Sequence, residues 1–271
     1  MTLLTQQQIH QLHIKLQHIG EEILKIYNSE FSHKLKADKS PLTQADTLSH
    51  NQLIEFLKYN YSKYNIISEE DKNTTHINLN QPTWLIDPLD GTKDFVQKTD
   101  EFSIMLALLN TNNQPIAGFV YQPPTHTFFY AQKGEGAYKI HNDSTTQLHV
   151  STISQINESK LVHSRNHFSK KDEAVSEQLN ITQFIKAGSV GIKFCKIAQG
   201  QAELCYYTTD KMGIWDDASA HIILKEAGGD VFDINGDEPT YNYTHKTMKN
   251  GFIGTNGNIS KEKILNTIKN L

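Results

Sequence analysis

The order of hydrophobic periods along these 271 residues predicts a mixed α/β fold. Three observations carry it: helical spacing at the start, a dense run of strand-like segments in the middle, and alternating strands and helices beyond about residue 150. Ile9, Leu12, Leu16, Ile19, Ile23 and Tyr27 recur at helical steps, so a long amphipathic helix opens the chain. A second helix is expected from about Thr43 to Tyr59, with Leu53, Ile54 and Leu57 inward. Strand-like runs follow at Asn65 to Ser68, Thr83 to Ile86, Phe102 to Leu109, Ile116 to Tyr121, Thr127 to Ala131 and Ala137 to Ile140. Their close succession through short polar turns implies an antiparallel sheet. Further strands are expected near Lys160 to Val162, Phe184 to Lys186 and Ala202 to Tyr206, with helices between them. These residues suggest a second α/β lobe on the same core, so the chain divides into an α+β lobe over 1–150 and an α/β lobe over 151–271. With no repeat, low-complexity tract or flexible linker, the two lobes should form one rigid unit.

Composition narrows the function. A formal net charge of -4 and the lack of a dense basic run argue against a nucleic-acid surface. No segment is apolar enough over sufficient length to cross a bilayer, and the N-terminus has neither the charged nor the apolar region of a secretion leader. Cys195 and Cys205 lack metal-type spacing and are expected to pack as buried thiols in a reducing compartment.

The chemistry concentrates in Trp84 to Phe95, where an apolar run ends in Asp87, Pro88, Leu89, Asp90, Gly91 and Thr92. Pro88 biases Asp87 toward an extended conformation and removes a donor, so the strand is expected to leave its sheet here. Gly91 permits a close backbone approach, and Thr92 can begin a helix whose N–H groups face an anion. Carboxylates for hard cations beside such a helix suit phosphoester hydrolysis. The hexapeptide alone could also be a turn with a helix cap, the less favoured of the two readings. Two further acidic ends weigh against that reading: Ile66 to Asp71, a β-branched run ending in Glu69, Glu70 and Asp71, and Gly213 to Ala218, which places Asp216 and Asp217 before an apolar helix.

These elements resemble the magnesium-dependent, lithium-sensitive phosphatases related to inositol monophosphatase. They stand in that family's order: an N-terminal helix, Lys36 to Asp46, Ser68 to Asp71, Asp87 to Phe95, and Trp215-Asp216 leading to Glu226 to Gly229. Within the family, Ser40 to Thr43, Leu89 and Lys93, Ser164 to His167 and Lys193 to Cys195 look most like the 3'(2'),5'-bisphosphate nucleotidase branch. One departure is Gly188 to Lys193, where a serine pair is expected before the lysine. The resemblance implies a layered α-β-α-β-α sandwich shared with fructose-bisphosphatase, and a site between the lobes. It implies at least two Mg2+ ions, with Mn2+ as a substitute. Glu69, Asp87 and the Leu89 carbonyl would hold the first ion, and Asp87, Asp90 and Asp216 the second. Thr92, polarised by Asp46, would orient the attacking water while Glu70 assists. Substrate contacts would come from Glu69, Leu89, Asp90, Gly91, Thr92, Asp216, Ser164, Arg165, His167, Ser189 and Lys193.

The activity implied is hydrolysis of adenosine 3',5'-bisphosphate to AMP and phosphate, with its sulfated relative as a further substrate, in a cytoplasmic enzyme of sulfate assimilation. An inositol monophosphatase would carry the same metal site. A catalytically silent binder of the nucleotide, or of a partner protein, is the reading from another class, and the intact acidic set argues against it. Oligomeric state and peripheral attachment to the inner membrane face are left open by the sequence.

Other residues take plainer readings. His10, His13 and His18 share no helical face and are expected in solvent. His163 and His167 flank a strand end, which disfavours a metal pair, and Lys170, Lys171, Lys246 and Lys249 read as solubilising charges. Asp217 is expected to cap a helix, pointing away from the metals. Of 26 basic residues only Arg165 is arginine. Either a planar fork is needed there, for phosphate or for a purine, or it is a chance survivor at the surface.

Overall fold

The computed structural model describes residues 3–36, 41–71, 77–208, 212–241, 243, 247–248 and 250–271. Expectations placed on Ala37 to Ser40, Lys246 and Lys249 lie outside the described residues. Helix α1 (Gln6–Tyr27) starts at a capping box in which the Thr5 hydroxyl accepts the Gln8 N–H and the Gln8 side chain accepts the Thr5 N–H. Its buried face is the predicted one, with Gly20 added. Strands β1 (His33–Leu35) and β2 (Pro41–Thr43) pair antiparallel, and Thr43 then caps α2 (Gln44–Asn60) in a second capping box closed by Asp46.

Seven strands form the larger sheet in chain order: β3 (Asn65–Ser68), β4 (Thr83–Asp90), β5 (Ser103–Leu109), β6 (Pro115–Gln122), β7 (Thr127–Gln132), β8 (Gly136–His141) and β9 (Ser144–Gln147). Neighbours from β4 to β9 run antiparallel, as the short turns required. The β3–β4 pair is parallel instead. The connection from Ser68 to Thr83 is long enough for the crossover that a parallel pair needs.

After α3 (Thr92–Val96), the second half supplies β10 (Lys160–Ser164), α4 (Lys170–Gln178), β11 (Gln183–Ala187), α5 (Val190–Ala198), β12 (Leu204–Tyr207), α6 (Ala218–Glu226), β13 (Asp230–Phe232), β14 (Phe252–Thr255) and α7 (Lys261–Lys269). Its five strands order as β11-β10-β12-β14-β13, parallel among β10, β11 and β12 and antiparallel at β14.

Side-chain alternation shows how the layers stack. Along β5, Ile104, Leu106 and Leu108 pack with α1 and α2, whereas Met105, Ala107 and Leu109 pack with α5 and α6. The far side of α5 and α6 meets Val162, Cys205, Val231 and Phe252 of the smaller sheet. That sheet's other face buries Leu161, Leu204, Phe232 and Ile253 against α4 and α7. The result is an α-β-α-β-α sandwich, and β5 reads as an unbroken apolar run because helices cover both of its faces. Gly118 allows the middle layer to approach: a Cβ there would lie 2.3 Å from the Ser219 carbonyl of α6. Both cysteines are free and buried. His13 departs from expectation, because it stacks on Phe128 with ring centroids 4.4 Å apart, and burial lowers its pKa.

The middle layer is tied to the segment before β14 by a polar chain that runs from the buried Tyr241 and His221 to the exposed Glu238. The Tyr241 hydroxyl lies 2.9 Å from His221 Nδ1, and His221 Nε2 lies 3.3 Å from Glu238 Oε1. Burial lowers the His221 pKa, so a neutral ring accepts from Tyr241 and donates to Glu238. Replacing it in His221→Phe strands the Tyr241 hydroxyl and should cost about 1–3 kcal/mol in thermal or urea unfolding. Because the folded pKa lies below the unfolded value of about 6.5, the unfolded imidazole gains its proton first as pH falls. Wild-type stability should therefore decline below about pH 6.5, and melts between pH 5 and 8 should show that component missing from His221→Phe.

Candidate active site

The site is built on the end of β4. Its pairing with β5 shifts register between Asp87, opposite Met105, and Asp90, opposite Ser103. Pro88 has no N–H to give the ladder, and the strand accommodates it by bulging. The sequence reading had the chain leaving the sheet at this point, but β4 stays buried through Asp90. Gly91 then turns with φ +89°, where a Cβ would lie 2.9 Å from the Glu101 carbonyl oxygen, and Thr92 opens α3.

Each acid has a distinct setting. Asp87 is buried, and its Oδ1 accepts the Leu89 N–H at 3.0 Å. Its pKa is pushed well up, first by burial and then by Glu69, Asp90 and Asp216 facing it. Asp90 reaches the other half of the molecule, where Oδ2 accepts the Gly191 N–H at 3.0 Å and the Ser189 hydroxyl. Ser189 caps α5 by accepting the Ile192 N–H at 3.2 Å. Since its one proton goes to Asp90, Ser103, 2.7 Å away, must be the donor to Ser189. Burial raises the Asp90 pKa, and the nearby Lys193 opposes the shift.

Glu69 remains on the ladder through its N–H to the Ile86 carbonyl, which sets it beside Asp87 across the parallel pair. Lys36 Nζ lies 2.6 Å from Glu69 Oε1 and also contacts Glu70 Oε1. Burial raises the pKa of Glu70 against that ion pair. Asp46 accepts the Thr43 hydroxyl at 2.6 Å and the Thr43 N–H at 2.7 Å on one oxygen. Its other oxygen lies 3.2 Å from the Thr92 hydroxyl, which also lies 3.0 Å from the Leu89 carbonyl. Burial pushes the Asp46 pKa up to about 6. Asp216 arrives from a turn closed by the Gly213 N–H at 2.8 Å, and burial, then Glu69 and Asp90, push its carboxyl well up.

Asp217 sits at the N-cap of α6, yet it makes no capping bond. It is fully buried, and neither side-chain oxygen has a hydrogen-bond partner among the described residues. Burial and the adjacent Asp216 push its pKa well up, which disfavours its charged form, and it does not act as the expected cap.

The expected substrate contacts of the second half fall into different places. Ser164 is buried, and its hydroxyl accepts the Asn166 and His167 N–H groups at 3.3 and 3.1 Å, which shapes the loop carrying His167. His167 is exposed, and its Nε2 lies 3.1 Å from Lys93 Nζ across the cleft. His163 instead packs on Phe168 and Phe184, apart from His167. Lys193, expected at the substrate, is fully buried and donates to the Ala187, Gly188 and Ser189 carbonyls, so it staples the turn that presents Ser189. Arg165 is pinned: Nε is 3.2 Å from Asp94 Oδ1 and Nη2 is 2.5 Å from Glu101 Oε2. Sequence reasoning missed Asp94 and Glu101 as partners of the lone arginine, and missed Lys36 as partner of the two glutamates. The signal available was charge alone: one arginine, and one lysine beside an acidic motif.

Among the described residues no three acids converge closely enough to form a ready-made cage. The donor set still fits a divalent cation, because the groups facing the centre are oxygens and burial leaves them short of countercharge. Positive charge reaches them from Lys36 at the rim and Lys193 beneath Asp90. In metal-free protein, Asp87→Asn should therefore melt above wild type at pH 8 in EDTA, because it removes a buried repelling charge while its carbonyl still accepts from Leu89. A carboxyl with a raised folded pKa is disfavoured by rising pH and protonates first as pH falls. The advantage should thus shrink toward pH 5, and a constant difference across that range would count against repulsion as the cause.

A profile of the Inositol monophosphatase family matches residues 5–271. The curated relative "3'(2'),5'-bisphosphate nucleotidase CysQ" of Aggregatibacter actinomycetemcomitans is 31% identical over 242 residues, covering 88% of each chain. The solved Thermotoga maritima IMPase superposes with a TM-score of 0.81 at 23% identity, covering 97% of this chain and 96% of its own. An IMPase/NADP phosphatase solved with Mg2+ and phosphate gives 0.79 at 21%, covering 96% and 95%. The matched profile spans the acidic cluster and both sheets, and this chain belongs to the inositol monophosphatase family.

Proposed function

We propose that the protein is a Mg2+-dependent phosphomonoesterase that hydrolyses adenosine 3',5'-bisphosphate to AMP and phosphate, and its sulfated relative in the same way. The observation that carries the substrate is the 31% identity, over most of both chains, to a relative named as a 3'(2'),5'-bisphosphate nucleotidase. Solved structures named for inositol phosphatases stand at lower identity and speak only to fold. The all-oxygen donor set and a fold neighbour solved with Mg2+ and phosphate support divalent metal use. Among the described residues no helix is long and apolar enough to cross a membrane.

In this reading Glu69, Asp87 and the Leu89 carbonyl hold one ion, and Asp87, Asp90 and Asp216 a second; Mn2+ would serve in place of Mg2+. Bound there, the ions supply the positive charge that offsets the carboxylates and the charge developing on the phosphate, and they activate water. The Thr92 hydroxyl has two acceptors in reach, Asp46 and the Leu89 carbonyl; with that carbonyl engaged by an ion its proton would go to Asp46, leaving an oxygen lone pair to accept a hydrogen bond from the attacking water and orient it. Glu70, with its pKa raised by burial, is a base within the same rim. The Ser189 link to Asp90 fixes one ligand to α5, so the two halves of the chain close on the same phosphate.

Malachite-green phosphate release with Mg2+ should favour adenosine 3',5'-bisphosphate over inositol 1-phosphate, and Asp87→Asn should abolish turnover while retaining native circular dichroism. Preference for the inositol phosphate would favour the other branch of the family. Turnover like wild type in Asp87→Asn would refute the ligand assignment.

Arg165→Lys separates a substrate contact from a positioning role. The fork spans Asp94 and Glu101, which a single ammonium cannot reproduce, but the pair is partly exposed, so the stability loss should stay near or below about 1 kcal/mol. If the arginine acts by holding the 94–101 segment, kcat/KM should fall by the same factor on both substrates, to within about twofold. A fall confined to the nucleotide would mark a direct contact with its second phosphate or base.

A further inference from the structure

We propose that Lys36 is the chain's own counter-ion for the metal site: its ammonium group holds Glu69 and Glu70 when no divalent ion is bound, and must release Glu69 for one to enter. The inference rests on the metal-dependent reading above and adds a residue to which that reading gives no role.

The geometry is specific. Lys36 directly follows β1, which pairs with β2, and β2 runs into the Thr43–Asp46 capping box that reaches Thr92. One strand pair therefore has the lysine at one end and leads at the other into the start of α2, whose Asp46 reaches Thr92. Lys36 Nζ lies 2.6 Å from Glu69 Oε1 and in contact with Glu70 Oε1, and its side chain is only 19% exposed. The contact is thus sheltered from the solvent that weakens surface ion pairs. Its charge also acts on the carboxyls of Asp46 and Asp216, holding both below where burial alone would put them. One ammonium group thus contacts the two acids that follow β3 and acts electrostatically on those of α2 and the turn before α6.

Lysine suits this task because its charge is a point on a flexible four-carbon stem with no planar fork to lock onto one carboxylate. It can neutralise two glutamates and still withdraw. A divalent ion and an ammonium cannot both take the Glu69 carboxylate in the same geometry, so metal binding selects molecules from which Lys36 has swung away. Apparent affinity is then the intrinsic affinity reduced by the fraction of such molecules. The lysine would steady the metal-free fold and at the same time set the metal concentration at which the site fills.

The test compares metal-stripped wild type, Lys36→Gln and Lys36→Arg by calorimetric titration with Mg2+ alone, and by melting in EDTA and in saturating Mg2+. Lys36→Gln should bind its first Mg2+ about tenfold tighter, melt lower than wild type in EDTA and melt like wild type in Mg2+. Lys36→Arg keeps the charge, so it should melt close to wild type in EDTA, and because its fork grips a carboxylate harder it should bind its first Mg2+ no tighter than wild type. Unchanged or weaker Mg2+ affinity in Lys36→Gln overturns the proposal, as does an equal drop in both melts, which would mark a packing role. Mg2+ binding by none of the three would overturn the metal-dependent reading together with this one, whereas normal wild-type binding with no change in the variants overturns only this one.

Discussion

Everything about this molecule turns on holding several carboxylates close together in partly dry surroundings. Asp87 and Asp90 are buried, Asp216 lies beside them, and burial raises all three pKa values before any mutual repulsion is counted. Such an arrangement opposes folding unless hydrogen bonds and countercharge are supplied nearby. The chain supplies them from elements remote in sequence. The Gly191 N–H and the Ser189 hydroxyl bind Asp90, Lys193 sits beneath that turn, and Lys36 spans Glu69 and Glu70. The β4 bulge at Pro88 is what permits two acids so close in sequence to serve the same cleft.

The layered fold is what makes those distant contributions reliable. Helices α5 and α6 lie between the two sheets, and each brings one part of the site: α5 the Ser189–Asp90 lock, α6 the turn carrying Asp216. Packing on both faces leaves these helices little freedom to shift, since Gly118 lets α6 lie almost on the backbone of β6. The ion pairs of Arg165 add a clasp at the rim, joining the end of β10 to α3 and to the segment that follows it. The rim pairs are more exposed than the core acids, so motion needed to admit a ligand would be expected there before it appeared in the sandwich itself.

Much of this was legible in the sequence because the informative residues are close together or periodic. The buried face of α1 and the strands from β3 to β8 follow from spacing, and the acidic ends of β3 and β4 stand out as breaks in apolar runs. Strands β1, β2, β9, β13 and β14 escaped because they are short; β1 and β9 are also wholly exposed, so no burial pattern marks them. The parallel β3–β4 pair was missed because neighbouring strands were taken to turn tightly. The partners of Arg165 and Lys36 could not be read from spacing at all. Asp94 is 71 residues from Arg165, and Glu69 is 33 from Lys36, so only tertiary folding brings them together. Lys193 shows the same limit from the other side: its position in a family motif suggested a ligand contact, whereas three carbonyls of its own turn claim its ammonium group.

Asp216 and Asp217 show how finely backbone direction sorts adjacent acids. Both precede α6 and both are drawn toward the neutral form by burial, but only Asp216 faces Glu69 and Asp90 and takes an N–H from its own turn. Asp217 points into the core, where neither oxygen finds a partner among the described residues, and its proximity to Asp216 raises its pKa further. A cation drawn to the cluster would lower the proton affinity of Asp216, which faces it, far more than that of Asp217, which the core screens from solvent but leaves without hydrogen bonds. Burial disfavours charge on both neighbours, but only Asp216 has the facing acids and the turn N–H that suit it to hold a cation.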